Sequence, residues 1–271
     1  MEKNSSILIN YRKRKESGVL MAIGLASGLE KLQNAMAKLL FPRAACCLCC
    51  GDVRHASLAD CLCDACREKL KRLRVPPEAC ERCLSPVRKG KPCAFCRSSA
   101  MKPIRKAYTP YRYGEQARTL IHQLKFNCCS EAAEVLGKAM ADALPDRDFD
   151  CIAPVPLHRY RLRERGFNQS LLLSRELSAR TGIPVLELLR RDRYHRPQSL
   201  TPAPLRRKNV ENVFSCVRDA EGFRVLLVDD VRTTGSTAAS CAKTLLEAGA
   251  ESVSLCTAAV VYREQGKGRR E

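Results

Sequence analysis

The sequence has no tryptophan, and its 7 Tyr and 7 Phe amount to only 5% aromatic content. Whatever core it builds is aliphatic, and at 45% apolar residues there is ample material for one. Histidine is scarce too: the 4 His are scattered, and no Ser–His–acid or Cys–His nucleophilic set can be written from them. Cys128 and Cys129 have no evident catalytic partner and read as small residues at a helix–loop junction. No apolar run reaches the length of a transmembrane helix. There is no Gly-Lys-Ser/Thr of a Walker loop and no G-x-G-x-x-G of a dinucleotide fold, which excludes two common phosphate-binding devices. Acidic residues are also in short supply. Asp and Glu number 29 against 48 Lys and Arg, a formal charge of +19. Such an excess points to a polyanion, whether nucleic acid, a phosphorylated ligand or an anionic membrane. No groove-reading helix or base-stacking motif accompanies it.

What is present centres on Val225–Thr237, VLLVDDVRTTGST. Val225 to Val228 are four consecutive apolar residues, two of them β-branched as valines are, and read as a strand buried on both faces. Asp229 and Asp230 stand where that strand is expected to end. Thr233, Thr234, Gly235, Ser236 and Thr237 then form a hydroxyl loop, followed by a helix with Ala238, Cys241, Ala242, Leu245 and Leu246 at helical spacing. Gly249 stops that helix, and Val253, Leu255 and Thr257 begin another strand. In an open parallel sheet, ligands sit at the carboxyl ends of strands. The unpaired N–H groups and dipole at a helix start favour an anion, and hydroxyls and a glycine let phosphate approach closely. The acids would repel a phosphate in contact with them. They make sense one sugar-length away, accepting hydrogen bonds from vicinal hydroxyls or helping to hold Mg²⁺.

A second strong signal precedes it. Of 17 Cys, eleven lie between Cys46 and Cys96. Four C-x-x-C knuckles can be written: Cys47/Cys50, Cys63/Cys66, Cys80/Cys83 and Cys93/Cys96. Two knuckles complete one tetrahedral four-thiolate zinc site, so eight ligands make two structural Zn sites. Disulfides and Fe–S ligation are the competing readings. Cys46/Cys49 is an alternative first knuckle, Cys61 could exchange with Cys63, and sequential or interleaved pairing stays open. Eight thiolates on two Zn²⁺ carry about −4 together, leaving the holo-protein strongly basic. A closed four-thiolate site has no open metal position, so its role is stability, and metal is needed to fold a module with no large core of its own.

The remaining elements are weaker signals. Residues 1–28 read as a basic extension, with Arg12–Lys15 at its centre and Met21 as an alternative start. The mildly apolar Val19–Leu29 is not read as a signal peptide, because Gly18, Gly24, Ser27 and Gly28 dilute it. Residues 29–41 form an amphipathic helix ended by Pro42. After the cysteine-rich stretch to residue 100, an edge strand is expected over 104–113, interrupted by Pro110. Helices are expected over Glu115–Phe126, 131–144 and 168–181, a strand over Asp150–Pro156, and a strand or strand-like segment over Ile183–Leu189. Four arginines, Arg159, Arg161, Arg163 and Arg165, follow the Asp150 strand, and His158 could add partial charge. Arginines suit phosphate groups through bidentate, charge-assisted bonds. Lys125 at a helix end could face the same ligand. Residues 190–214 are polar, basic and too long for a plain connector, and read as a lid or binding loop.

VLLVDDVRTTGST resembles the phosphoribosyl pyrophosphate (PRPP) motif of type I phosphoribosyltransferases. The LLFP opening, the cysteine knuckles, Leu124-Lys125-Phe126, PVPL followed by RGFNQ, and the spaced Gln198, Arg206, Asn209 and Phe214 narrow this to the ComF family, associated with DNA uptake in competent bacteria. The resemblance covers roughly residues 29–262. The family commonly has Gly after the third knuckle, where this chain has Leu84, and often Thr before the Gln, where it has His195-Arg196-Pro197.

The resemblance implies a double zinc ribbon over 29–100 and a three-layer α/β phosphoribosyltransferase-like domain over 104–262, with a charged tail at 263–271. It implies that Asp229 and Asp230 hold the ribose, that the loop Thr233–Thr237 binds the 5′-phosphate, and that Arg165 with Arg161, Gln169, Lys125, Gln198 and Arg206 surrounds the pyrophosphate, with Mg²⁺. It implies a cytoplasmic protein. Either it transfers ribosyl groups, or the fold serves as a binding module for single-stranded DNA, PRPP or a partner of the competence machinery such as a helicase.

Overall fold

A computed structural model of the chain describes residues 46–53, 61–87, 93, 95–97, 101–126, 129–145, 147–192 and 213–262. The expected basic extension, the helix over 29–41, the charged tail and most of the 190–214 segment, including Gln198, Arg206 and Asn209, lie outside these residues. The chain divides into two compact units, Met1–Cys63 and Asp64–Glu271. In the first, the Cys47–Cys50 turn is closed by Gly51 N–H donating to the Cys47 carbonyl at 2.8 Å, with Gly51 at φ 76°. Only glycine takes that conformation without cost.

The second unit begins with helix α1 (Asp64–Lys71), whose first turn carries Asp64 and whose last turn carries Lys69 and Lys71, a charge order that suits the helix dipole. Its sheet is parallel throughout. Strands β1 (Ala107–Tyr108) and β2 (Tyr111–Arg112) both pair with β7 (Ser252–Val260), β7 pairs with β6 (Arg224–Arg232), and β6 with β3 (Cys151–Pro154). Between β1 and β2 stand Thr109 and Pro110, and a proline cannot donate to a ladder. The expected edge strand is therefore two short pieces.

Alternation along the strands sorts the core into two faces. Cys151, Ala153, Val225, Leu227, Val253 and Leu255 form one cluster with Ala238, Cys241, Ala242 and Leu245 of helix α6 (Ser236–Glu247). Met101, Ile104 and Cys83 join that cluster, and Cys80, Cys93, Phe95 and Cys96 pack on it. The opposite face belongs to α2 (Glu115–Phe126), α3 (Ser130–Asp142) and α5 (Gln169–Thr181), with α3 and α5 packed closely on each other. This is the three-layer α/β arrangement expected. The short helix α4 (Arg159–Arg165) follows β3 and buries no residue.

Of the two readings of Ile183–Leu189, the structure shows the strand-like one. Val185 makes a single parallel bridge to Ile152, and the strand proper, β4 (Leu189–Arg191), pairs antiparallel with β5 (Phe214–Cys216) in a separate two-stranded sheet. Pro184 removes one donor and leaves only the carbonyl that receives Ile152 N–H at 2.8 Å. Asp192 N–H donates to the Val213 carbonyl at 3.0 Å, so the two ends of the long polar segment are held side by side.

The closest approach of α3 and α5 is at Gly137, where an added Cβ would lie 2.5 Å from Glu176 Cβ. Helix propensity alone makes Gly→Ala stabilising by about 1 kcal/mol. We expect the opposite here: Gly137→Ala destabilises by about 1–3 kcal/mol through overpacking, read from urea unfolding of the full chain.

Candidate functional site

Strand β6 is flanked on both sides only as far as Val228. Its β3 partner runs Cys151↔Val225 to Pro154↔Val228, whereas its β7 partner continues through Asp229↔Thr257 to Arg232↔Val260. The acids are therefore not at the end of β6, as the sequence suggested, but within it, just beyond the end of β3. The longer β7 keeps the backbone extended past Val228. The two carboxylates, adjacent in the strand, meet different partners. Asp229 accepts from Ser170 Oγ at 3.2 Å and from the Asp230 N–H at 2.9 Å. Asp230 is buried and ion-pairs with Lys125 Nζ at the end of α2. Burial, and then the neighbouring Asp230 charge, push the Asp229 carboxyl up to about 8.

Beyond Arg232 the chain turns into the hydroxyl loop. Gly235 sits at φ 74° and begins α6 with no side-chain cap. Thr234 Oγ1 lies 2.9 Å from Ser236 Oγ and accepts the Ser236 N–H at 3.3 Å, which folds the loop on itself. An open cleft is lined by Asp229, Arg232, Thr233–Thr237 and Thr257. It thus joins a carboxylate at one end to hydroxyls and an uncapped helix start at the other. Thr257 Oγ1 is positioned by Thr109 Oγ1 at 2.7 Å.

The arginine segment is positioned by its caps. Asn168 caps α5 by accepting Ser170 N–H at 3.0 Å and donates to the Val155 carbonyl at 3.1 Å, which ties α5 to the end of β3. His158 caps α4, its Nδ1 accepting Tyr160 N–H at 3.3 Å. Burial and the charges of Arg159 and Arg191 lower the His158 pKa, so it stays neutral and adds no charge at neutral pH. Arg165 donates to Gln169 Oε1 at 3.2 Å and lies over the Phe126 ring at 5.3 Å, while Arg161 pairs with Glu164 at 2.9 Å. Arg165, Gln169, Phe126 and Lys125 are thus neighbours, and Arg161 is turned to its own helix.

The cysteines gather into two groups, Cys47, Cys50, Cys63, Cys66 and Cys80, Cys83, Cys93, Cys96, with all ligand atoms of a group within 4.8 Å of one another. The pairing is sequential. Zn–S bonds of 2.3 Å in a tetrahedron put sulfurs roughly 3.8 Å apart. Sγ pairs here lie at 3.8 Å (Cys50–Cys63), 3.6 Å (Cys80–Cys96) and 3.4 Å (Cys83–Cys93), so both groups fit Zn²⁺. In the first, burial opposes the Cys47 thiolate, but N–H donors from Cys63, Cys50 and Cys49 outweigh it and bring its pKa down to about 6. Leu84, where a glycine would sit more easily, adopts φ 55°. That backbone costs a non-glycine residue about 1 kcal/mol, yet Leu84 N–H still closes the knuckle onto the Cys80 carbonyl at 2.7 Å.

No family model matches the chain. The DNA utilization protein YhgH of Escherichia coli (strain K12) is 34% identical over 205 residues, 71% of this chain and 87% of that protein. Competence protein ComFC of Bacillus subtilis (strain 168) is 30% identical over 214 residues, 72% of this chain and 82% of that protein. The chain belongs to the ComF family. Among solved structures, the B. subtilis glutamine PRPP amidotransferase complexed with ADP and GMP is 30% identical over 45% of this chain and 25% of that chain, at a TM-score of 0.34, too partial a likeness to carry functional weight.

In this ComF chain the structure brings together Asp229, Asp230, Lys125 and the loop Thr233–Thr237, and sets Arg165 with Gln169 beside Phe126. Sequence reasoning missed Ser170, Thr257 and Arg232. Ser170 directly follows Gln169 and could have been found as a hydroxyl at a helix start. Nothing local marks Thr257, whose role depends on pairing with β6. Among the described residues no helix is long and apolar enough to cross a membrane.

The raised Asp229 pKa gives a pH test. Between the ordinary carboxyl value near ~3.9 and about 8, the folded state binds more protons than the unfolded one. This acid's contribution to stability therefore falls as pH rises through that window. Asn can accept the same two hydrogen bonds without the charge. We expect Asp229→Asn to be more stable than the parent at pH 8, with the gain shrinking toward pH 6, measured by urea unfolding across that range.

Proposed function

We propose that this ComF protein binds PRPP, or a sugar phosphate like it, together with Mg²⁺, and serves DNA uptake. The observation that carries the reading is the single cleft in which Asp229 lies at one end and the Thr233–Thr237 loop and uncapped α6 start at the other. A 5′-phosphate suits the loop, which supplies hydroxyl donors and helix-end N–H groups. Ribose hydroxyls suit the acids, which accept hydrogen bonds. Mg²⁺ would be held by the acids and the phosphates and would neutralise charge on the diphosphate. Arg165, steadied by Gln169 and Phe126, is the best placed of the arginines to meet that diphosphate. Lys125 balances the acid pair and keeps Asp230 aimed. In ribosyl transfer these groups would stabilise the leaving diphosphate while the acids hold the sugar, and no protein nucleophile is required. The names of the relatives, DNA utilization and competence proteins, support the uptake role.

A specific observation favours single-stranded DNA as a further partner. Phe126 and Tyr160 are 60% and 52% exposed, and Arg165 and Arg159 lie over their rings, each at 5.3 Å. Exposed rings beside guanidinium groups on a protein of charge +19 can stack bases and bind phosphates.

Calorimetric titration of the zinc-replete protein with PRPP and Mg²⁺ tests the first reading. We expect Asp229→Ala/Asp230→Ala to weaken PRPP binding by about 100-fold or more, from two charge-assisted contacts of about 1.5–3 kcal/mol each. The same variant keeps salt-sensitive binding of single-stranded DNA. Tyr160→Ala, outside the proposed PRPP contacts, shows the reverse pattern. Absence of PRPP binding by the parent rejects the sugar-phosphate reading, and loss of DNA binding in the folded acid variant rejects separate sites.

A further inference from the structure

Arg232 ends β6, one residue before the hydroxyl loop, and its side chain is 3% exposed. Its Nη2 donates to the Cys83 carbonyl at 2.6 Å and to Ser85 Oγ at 3.2 Å. The guanidinium lies over the Phe95 ring at 4.5 Å. Among the described residues it has no carboxylate partner, and its Nε has no hydrogen-bond acceptor. A buried guanidinium without a counter-charge is strongly unfavourable. Its surroundings show what supplies one. Cys83 is a ligand of the second cysteine group, Phe95 precedes the ligand Cys96, and Ser85 lies two residues past Cys83. Four thiolates around a divalent ion carry −2, the charge a buried cation needs nearby, and hydrogen bonds around a metal site in turn tune its hold on the ion.

We propose that Arg232 is the internal counter-cation of the Cys80–Cys83–Cys93–Cys96 metal site, and that its fork on the Cys83 carbonyl and Ser85 ties metal occupancy there to the anion-binding geometry of the Thr233–Thr237 loop. The connection is short. Arg232 itself lines the ligand cleft, and its carbonyl receives Val261 N–H at 2.9 Å, which pins the last residue of β6 to the chain just beyond β7. When the ion leaves and the four sulfurs take up protons, the net charge of the site goes from −2 to zero, which leaves the guanidinium uncompensated and frees the base of the loop. Coupling of this kind is reciprocal in affinity: an anion that orders the loop must tighten the hold on the ion by the same free energy that the ion contributes to anion binding.

The metal half stands independently of the ligand reading; the loop half rests on it. The experiment uses the full zinc-loaded chain. Zinc transfer to a chromogenic chelator is followed over time, and alkylation mapped by mass spectrometry reports which cysteines become reactive. Arg232→Met keeps the stem and removes the charge. It is expected to release one of two zinc ions at least 10-fold faster than the parent, with Cys80, Cys83, Cys93 and Cys96 alkylated and Cys47, Cys50, Cys63 and Cys66 still protected. Arg232→Lys keeps the charge without the fork and is expected to fall between. If Arg232→Met does not fold, Arg232→Lys decides. Release at the parent rate from the folded variant overturns the proposal. In the parent, PRPP with Mg²⁺ is expected to slow release of that same ion. Calorimetric binding without any change in release overturns the coupling, whereas no calorimetric binding overturns the sugar-phosphate reading and leaves the Arg232 variants to decide the metal half.

Discussion

The unequal lengths of the strands beside β6 are the constraint on which the rest depends. β3 stops at Pro154, level with Val228, while β7 runs on beside β6 to Val260. From Val225 to Val228 the strand is walled in and must be apolar, which it is. Past that point it keeps an extended backbone from one partner while the other side opens. Polar residues can be carried there on a rigid element rather than on a loose loop. The acids, the base of the hydroxyl loop and Arg232 all lie in that short overhang, so their spacing is set by strand geometry.

Charge accounts for what the overhang does. Asp229 and Asp230 are adjacent in the strand yet meet different neighbours, a serine hydroxyl on α5 and a lysine at the end of α2. Two adjacent acids thereby become unequal, one held high in pKa by burial and its neighbour, the other balanced by a cation. Two residues on, Arg232 turns toward the thiolate cluster. At the surface, Arg159 lies over the exposed Tyr160 ring and Arg165 over the exposed Phe126 ring.

The second cysteine group is built into the sheet core rather than appended to it. Cys83 and Met101 are fully buried with Val225, Leu227 and Leu255. An ion held by these four cysteines would share a core with the candidate ligand domain, and its loss would disturb that core.

Much of this was legible in the sequence. The run VLLV, the helix Glu115–Phe126, the glycine-ended helix 169–181 and the four C-x-x-C knuckles are local patterns: strand burial, helical periodicity and chelate spacing involve neighbours a few residues apart. Contacts between distant segments were not legible. Sequential pairing of the knuckles, Ser170 on Asp229, Lys125 on Asp230 and Arg232 on Cys83 join residues tens to more than a hundred positions apart. Nor did local pattern place the acids inside β6 or decide between a strand and a strand-like segment over 183–189. How far a strand extends is decided by the partner that pairs with it, and Pro184 and the length of β7 act only once the sheet is assembled. The sequence determined which chemistry this chain carries. Tertiary structure decided which of those groups face one another, because partner, burial and charge balance are properties of the packed sheet and not of any one segment.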